Sequence, residues 1–235
     1  MAGTYVYGVG RATAAAPSGR GVADAPLDVV RHGELAAIVS SIPSTTVHAR
    51  RRDLMRHSDV LQAAFDRDTV VPMRFGTVFP SGDDLVADLL EPRHDVLVGL
   101  LERFGGLAEL TVRAFFLEQP VLAEIVREDR EVARLRGGAD RLRLGEAVAA
   151  ALAGKRERDA ERIVSRLARH AQDVVVEERQ AELEVMRAAF LVKRGAIDAF
   201  DEAIGEIARE RDGVVRFKYT GPLPPHHFVS DRWES

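Results

Sequence analysis

Apolar alternation and turn residues predict a small β-rich beginning to the chain. Residues 4–9 are rich in Tyr and Val and are bounded by glycines, which predicts a strand. Residues 27–30 and 35–42 predict two further strands joined by a tight turn at residues 32–34, so we expect a β-hairpin. Residues 11–26 are small and turn-rich, which predicts a connecting loop that does not pack deeply.

A helical period follows from about residue 47. Apolar residues and one histidine recur at spacings of three and four, which predicts a helix with one buried face. These positions are Leu54, His57, Val60, Leu61 and Ala64. Residues 70–79 then predict a strand, and Ser81 is a helix N-cap followed by acidic residues. The helix is expected to kink at Pro92 and to end at Gly105.

The second half predicts the order β, α, β, α, β. Strict alternation marks a strand at residues 107–117, and helical character then runs from residue 119 to about residue 176 with an interruption at Gly137 and Gly138. A central strand at 183–193 and an amphipathic helix at 197–212 follow. The last strand is residues 214–219, after which Gly and Pro are expected to stop regular structure.

These elements predict an α+β protein of two domains. We place the boundary before the strand at residue 107, so that residues 1–106 form an amino-terminal α+β domain. Residues 107–235 then form a carboxy-terminal α+β domain with a helical insertion and a tail. Residues 155–161 are almost wholly charged, which predicts a solvated, projecting part of a helix.

Composition excludes several kinds of site. The 33 Lys and Arg residues are outnumbered by 37 Asp and Glu, so the net charge of -4 offers no general attraction to polyanions. Cysteine is absent, which excludes disulfides, thiolate nucleophiles and cysteine-containing metal sites. The chain has neither the pattern of a secretory signal nor an apolar run of membrane-spanning length, so we expect a soluble intracellular protein.

Sequence motifs for catalysis or cofactor binding are incomplete. The Gly8 to Gly10 segment follows a strand, but Thr13 stands where a dinucleotide-binding loop needs its third glycine. Gly154 and Lys155 lack the flanking residues of a phosphate-binding loop. The histidine spacings do not match the zinc motif in which two imidazoles lie four residues apart on a helix. We therefore expect a protein that is not an enzyme and that has no cofactor and no metal.

A basic cluster leaves one alternative open. Arg50, Arg51 and Arg52 are followed a turn later by Arg56, and such a cluster is compatible with a nucleic-acid or regulatory binding module. Nearby aspartates dilute the charge, and no aromatic residues lie between the arginines as a single-strand binder would require. A solvated or salt-bridged helix face is the simpler interpretation.

Five segments in order resemble one known family. The most specific are residues 69–79, TVVPMRFGTVF, and residues 217–229, FKYTGPLPPHHFV. Residues 5–9, 109–113 and 188–192 match in the expected order. Together they resemble the gas vesicle protein family GvpL/GvpF over essentially the whole chain. The chain departs from the family pattern at His226 and His227, where the family usually has an aromatic residue.

The resemblance implies both a fold and a role. It implies two domains, the second a modified ferredoxin-like fold, and a gas vesicle accessory or minor structural protein. Such a protein is expected to bind the major gas-vesicle shell protein, to contact other gas vesicle accessory proteins and to support vesicle assembly. It is expected at the gas vesicle, and in the cytoplasm before assembly, with neither nucleic acid nor lipid membrane as a partner.

Eight residues of the two specific segments are the candidate partner-binding residues. They are Pro72, Arg74, Phe75, Gly76, Gly221, Pro222, Pro224 and Pro225. Gly and Pro can also serve there to set turns, and Phe75 can belong to the core. Arg74 is the most informative of the eight, because a charge inside an apolar strand requires a partner.

Overall fold

Residues 2–138 and 140–229, which the computed structural model describes, form nine strands and seven α-helices. The strands are β1 Gly3–Arg11, β2 Leu27–His32, β3 Leu35–Ile42, β4 Val71–Pro72, β5 Val78–Phe79, β6 Leu107–Phe116, β7 Asp173–Val176, β8 Glu184–Lys193 and β9 Val215–Leu223. The helices are α1 Arg51–Phe65, α2 Gly82–Leu85, α3 His94–Arg103, α4 Glu118–Glu128, α5 Arg130–Leu135, α6 Arg141–Ala168 and α7 Ile197–Glu210. The predicted α+β class is confirmed.

The chain folds into two compact units. One unit contains the chain up to Glu109 together with the chain from Pro222 onward, and the other contains Leu110–Gly221. The sequence assigned residues 107–235 to a single second domain, of which residues 230–235 lie outside the described residues. The division into domains of 1–106 and 107–235 stays a prediction.

In the first unit, β1 is the central strand of a sheet in the order β2-β3-β1-β4, and β5 also pairs with β1. β1 runs antiparallel to β3, with a bulge between Val6 and Gly8. The predicted β2–β3 hairpin is confirmed, and Gly33 adopts a φ of 55° in its turn, a conformation that glycine accepts without strain. The predicted loop, however, buries Val22, which is 2% exposed.

Two predictions around α1 need correction. Leu54 is 41% exposed, because the buried face of that turn is centred one position earlier, on Asp53. The predicted strand at residues 70–79 is two short strands with a turn between them. The turn forms because Thr77 donates through both its amide and its hydroxyl to the Arg74 carbonyl, at 3.2 and 2.8 Å, while Gly76 has a φ of 92°.

The predicted N-cap at Ser81 is confirmed. The amide of Asp84 donates to Ser81 Oγ at 3.1 Å, and the Ser81 hydroxyl donates to the Asp84 carboxylate at 2.6 Å. Helix α2 continues into a single π-helical turn, Val86–Leu90, and the helix is then interrupted by a turn that contains Pro92. Helix α3 then runs to Arg103, as the break at Pro92 and the Gly105 stop predict.

In the second unit, the sheet has the order β7-β8-β6-β9. Helices α4, α5 and α6 connect β6 to β7, and α7 connects β8 to β9, so the element order is β-α-β-β-α-β. This order is compatible with a ferredoxin-like domain, which stays a prediction. The core contains alternate residues of β6 together with Phe190 of β8, Ile163 of α6 and Phe200 of α7.

Three predictions in this unit were wrong. The helix predicted to reach Val176 ends at Ala168, because the β-branched run that follows pairs with β8 as β7. β9 extends through Pro222 to Leu223, since a proline can lie in a strand at the end of a sheet. The third error concerns the charged part of α6.

Lys155 and Asp159 of α6 are buried rather than solvated, each 7% exposed. Lys155 Nζ lies 2.9 Å from Glu124 Oε2 and 3.6 Å from Asp159 Oδ2. Arg211 Nη2 completes the cluster, at 3.2 Å from Glu124 and 3.1 Å from Asp159. Desolvation raises the pKa of Glu124, but the hydrogen bond from Lys155 and the charge of Arg211 outweigh it, so this pKa lies below its usual range.

Candidate functional site

A buried histidine of α1 lies at the centre of the candidate site in the first unit. His57 is 5% exposed, and its Nε2 lies 3.1 Å from the carbonyl oxygen of Met73. Because a carbonyl only accepts, Nε2 carries the proton. Nδ1 therefore accepts from the hydroxyl of Tyr5 at 2.9 Å.

The environment of His57 keeps its ring neutral. Burial and, to a smaller extent, the charge of His226 lower the pKa of His57, and the hydrogen bond to the Met73 carbonyl opposes them; the resulting pKa is about 4. Both ring nitrogens are already engaged in hydrogen bonds. His57 therefore positions its neighbours and is poorly suited to act as a general base.

Two tyrosines of β1 extend the network. They lie two residues apart on one face of the strand, and the phenol of Tyr5 also accepts the amide of Gly76 at 3.1 Å. The phenol of Tyr7 accepts the amide of Val22 at 2.7 Å and lies 2.8 Å from Ser40 Oγ. Burial raises the pKa of both phenols, so they stay protonated.

Phe75 is held at the edge of this network. Its ring centroid lies 5.7 Å from that of His57 and 6.0 Å from that of Tyr5, both in edge-on arrangements. The side chain is half-buried. One edge of Phe75 is therefore fixed by the core, and part of its surface reaches the solvent.

The remaining candidates in residues 72–76 have different environments. Pro72 is buried in β4, opposite Gly8 of β1. Gly76 supplies the positive φ of the turn. Arg74 is exposed at that turn, so the prediction of a charge inside an apolar strand was wrong. The tight turn turns its side chain out of the sheet.

The carboxy-terminal candidates divide between the units. Pro222, Pro224 and Pro225 belong to the first unit, and the last two are buried. Gly221 belongs to the second unit, where it has a φ of 143° in β9. In the first unit, Gln62 of α1 donates to the Pro222 carbonyl at 3.2 Å.

A buried carboxylate also holds the carboxy-terminal segment. Glu109 is 1% exposed and accepts the amide of His227 at 2.8 Å. Its second oxygen lies 2.7 Å from His227 Nδ1. Phe228 next to it is buried. The two histidines that depart from the family pattern therefore form part of this site, one near His57 and one on Glu109.

The structure thus brings part of both family segments to α1. Phe75 contacts His57, and the segment that begins at Pro222 is bonded to Gln62, five residues further along α1. Leu54, one turn before His57, and the adjacent Met55 are exposed apolar side chains of the same helix. We use the name α1 surface for the exposed parts of Leu54 and Met55 on α1 together with those of Arg74, Phe75 and His226 on the segments that pack near this helix.

Sequence analysis did not identify the residues that organise this surface. Tyr5, Tyr7, His57 and Glu109 were each assigned to an element and not to a site. Two signals were available in the sequence. Tyr5 and Tyr7 have the i, i+2 spacing of one strand face, and His57 lies on the apolar face of a predicted helix. Both indicate buried polar groups, which must find hydrogen-bond partners.

The basic cluster begins α1. Arg50, Arg51 and Arg52 are exposed, and Arg56 lies 3.7 Å from Asp24. Positive side chains are unfavourable at a helix N-terminus, and Arg52 lies 4.0 Å from Asp53 in the first turn. Ion pairs thus offset part of this charge, which limits its attraction for a polyanion.

Within residues 2–138 and 140–229, no three His, Asp or Glu side chains are grouped so as to hold a metal ion. No helix in that part of the chain combines the length and apolar character needed to span a bilayer.

The fold is that of a gas vesicle protein of known structure. The crystal structure of GvpF from Anabaena sp. PCC7120 superposes with a TM-score of 0.85 at 21% identity, covering 98% of this chain and 97% of that one. At this identity the likeness concerns the fold alone.

Sequence comparison identifies the family. A model described as gas vesicle synthesis protein GvpL/GvpF matches residues 3–230. Gas vesicle protein F of Streptomyces sp. (strain CB03234) is 34% identical over 96% of this chain and 99% of its own length. Gas vesicle protein L of the same strain is 29% identical over 96% of this chain and 92% of its own length. The protein belongs to the GvpL/GvpF family and has a role related to gas vesicles.

Proposed function

We propose that the protein binds the major gas-vesicle shell protein through the α1 surface and thereby supports vesicle assembly. Family membership supports the gas vesicle setting. The location proposed is the gas vesicle, with a cytoplasmic stage before assembly, and other gas vesicle accessory proteins are further proposed partners.

The need for such a binder is physical. A very apolar shell subunit exposes surface that promotes aggregation before it enters the shell. A protein that covers this surface and then releases the subunit would keep it available for assembly. Binding of this kind requires apolar side chains that are exposed but held in place.

The convergence of Phe75 and the carboxy-terminal segment on α1 is the observation that carries the proposal. One edge of the Phe75 ring is fixed against His57 and Tyr5. Little conformational entropy of this side chain is therefore lost when a partner covers the opposite edge. Leu54 and Met55 add apolar surface that is 41% and 54% exposed. Aromatic residues and methionine are common at the centres of protein interfaces.

Co-expression with the major shell protein followed by affinity capture tests this proposal. The variant Leu54→Gln with Met55→Gln should reduce capture at least about tenfold, and Arg74→Ala tests the adjacent exposed turn. The matched control is Val96→Gln with Leu142→Gln, which changes two side chains that are 52% and 75% exposed. Capture of the α1 variant at the level of the control would exclude this surface as the contact.

A nucleic-acid or regulatory binding role is the second candidate. The exposure of Arg50, Arg51 and Arg52 at one end of α1 favours it. The test is binding of an oligonucleotide of about 30 nucleotides. Affinity that falls steeply between about 50 and 200 mM salt, and that is lost when Arg50, Arg51 and Arg52 are all changed to Gln, would support this role. Absence of binding at the lower salt would exclude it.

A further inference from the structure

The second unit contains an open cleft between α6 and the sheet. Its volume is about 580 Å³, and apolar side chains from α6, β7 and β8 line its floor. Met186 of β8 is 2% exposed there, whereas Val176 at the end of β7 is 60% exposed. Val176 lies on the same face of β7 as Val174, which packs on the core. The cleft therefore exposes apolar surface at Val176, directly beside buried residues of the core.

Acidic residues surround the apolar floor. Glu157 and Glu161 lie on the α6 side of the cleft, and so do the apolar residues Ala160 and Val164. The members of each pair are four residues apart, so each pair lies along one face of the helix. Glu177 and Glu178 lie on the other side, directly after β7. One cation, Arg179, is also in the lining, and it is bonded to Glu157 at 2.6 Å. The hydrogen bond and charge of Arg179 lower the pKa of Glu157, so that this carboxylate stays ionised.

The cleft adjoins the terminal strand of the sheet. β7 is at one end of the order β7-β8-β6-β9, and the amide of Glu177 donates to the Arg187 carbonyl at 3.0 Å. In an antiparallel ladder alternate residues face the neighbour, so the main-chain groups of Val174 and Val176 point away from β8. The Val174 amide is bonded to the Asp173 carboxylate at 2.8 Å, which leaves the Val176 end as the place where another strand can pair.

We propose that this cleft and the end of β7 bind an extended segment of a partner protein whose cleft-facing side chains are apolar residues flanked by Lys or Arg. The segment adds a short strand beside Val176, its apolar side chains enter the cleft, and its cations meet the glutamates. Strand addition explains the combination of an apolar floor, an acidic rim and a sheet edge. The site lies in the second unit and is independent of the α1 surface.

A fluorescein-labelled synthetic peptide, Lys-Thr-Val-Thr-Val-Thr-Lys, is the probe, because its Lys and Val side chains share one face of a strand. Fluorescence anisotropy with the full chain at low salt should show saturable binding, with hydrogen-exchange protection appearing at Val174 to Glu178. Replacing each Lys of the peptide by Glu should abolish binding. Methylating alternate peptide nitrogens should weaken it about tenfold, because the added strand loses its donors.

The matched protein variants have equal changes in net charge. Glu161→Lys with Glu178→Lys should weaken binding at least about tenfold, whereas Glu146→Lys with Glu202→Lys should leave it within about twofold. Circular dichroism checks that both variants are folded.

Equal affinity of the two variants, or no binding at low salt, would overturn the proposal. Equal affinity of the methylated peptide would overturn strand addition. A concentration-dependent dimer that the Glu161 and Glu178 changes abolish would place a second copy of the chain on β7 and would overturn the assignment to a partner.

Discussion

Tyr5 and His57 are joined by a 2.9 Å hydrogen bond between the phenol and Nδ1, although 52 positions separate them in the chain. The bond connects the central strand of the first unit to α1. Because the Tyr5 phenol also accepts the Gly76 amide, it fixes the turn that presents Phe75. The proposed partner surface therefore depends on a buried polar network.

Removing the Tyr5 hydroxyl should destabilise the protein. In Tyr5→Phe the amide of Gly76 and Nδ1 of His57 both lose a partner, and we expect a loss of about 1–3 kcal/mol in the free energy of unfolding. Urea denaturation measures it. Tyr219→Phe is the control, because this tyrosine is 37% exposed and its loss of the Asp201 contact should cost less. Equal losses of unfolding free energy in the two variants would show that the buried Tyr5 hydroxyl stabilises the protein no more than the exposed one of Tyr219.

Stability should fall in acid because of His57. Its pKa is about 4 in the folded protein against 6.5 for the ordinary residue, so the unfolded chain binds more protons between these values. The free energy of unfolding therefore rises with pH through this window, and the contribution present above about pH 6.5 is lost as the pH falls to about 4. The full contribution is about 3 kcal/mol.

Denaturation midpoints between pH 4 and 7 measure this dependence in the protein and in His57→Gln. The variant should show a flatter profile, and His170→Gln, which changes an exposed histidine, should keep the original one. A profile that His57→Gln leaves unchanged would assign the acid sensitivity to other groups.

Lys155 should be essential to the buried ion cluster. Lys155→Met leaves Glu124 and Asp159 with Arg211 as their remaining cation in the cluster, and we expect a loss of about 3 kcal/mol in the free energy of unfolding. Adding Glu124→Gln should recover part of the loss, because one buried negative charge is then removed.

Arg134→Met is the comparison for the ion cluster. The Arg134 side chain is 73% exposed and lies 3.9 Å from Glu131, so its removal should change stability by less than about 0.5 kcal/mol. A Lys155 variant as stable as this control would mean that the cluster contributes little to folding.

Glu109 should hold the carboxy-terminal segment in place. In Glu109→Ala the His227 amide loses its acceptor, so its hydrogen exchange should accelerate at least about tenfold. Mass-spectrometric hydrogen exchange of peptides covering residues 222–229 measures this. Glu109→Gln retains one acceptor oxygen and should show a smaller increase. Unchanged protection in Glu109→Ala would indicate that burial of Phe228 suffices to hold the segment.

The α1 surface shows how local and non-local signals divide. The helix itself was predictable, because its buried positions repeat with a helical period. The predicted buried face was wrong at Leu54, since Asp53 is buried where its carboxylate accepts the amide of Ala23, a contact with a distant segment that a local pattern does not show. The family motif identified Phe75, but its contact with His57 depends on strand pairing between distant segments.

The second unit shows the same division. The central strand β8 and helix α7 were predicted because uninterrupted apolar runs and a 3.6-residue period are local properties. Strand β7 was missed because four residues acquire their structure from pairing with β8. The burial of Lys155 and Asp159 was missed because it depends on opposite charges from other elements. These are Glu124 on α4 and Arg211 directly after α7.

By itself, the sequence determined the α+β class, most helix and hairpin positions and, through ordered motifs, membership of the GvpL/GvpF family. These depend on periodicity, turn chemistry and short segments, all of which are local. Only the tertiary structure decided that Tyr5, His57 and Phe75 form one network, that the chain from Pro222 returns to the first unit, and that a cleft opens beside β7. Each depends on contacts between residues far apart in the chain, whose free energy no local pattern records.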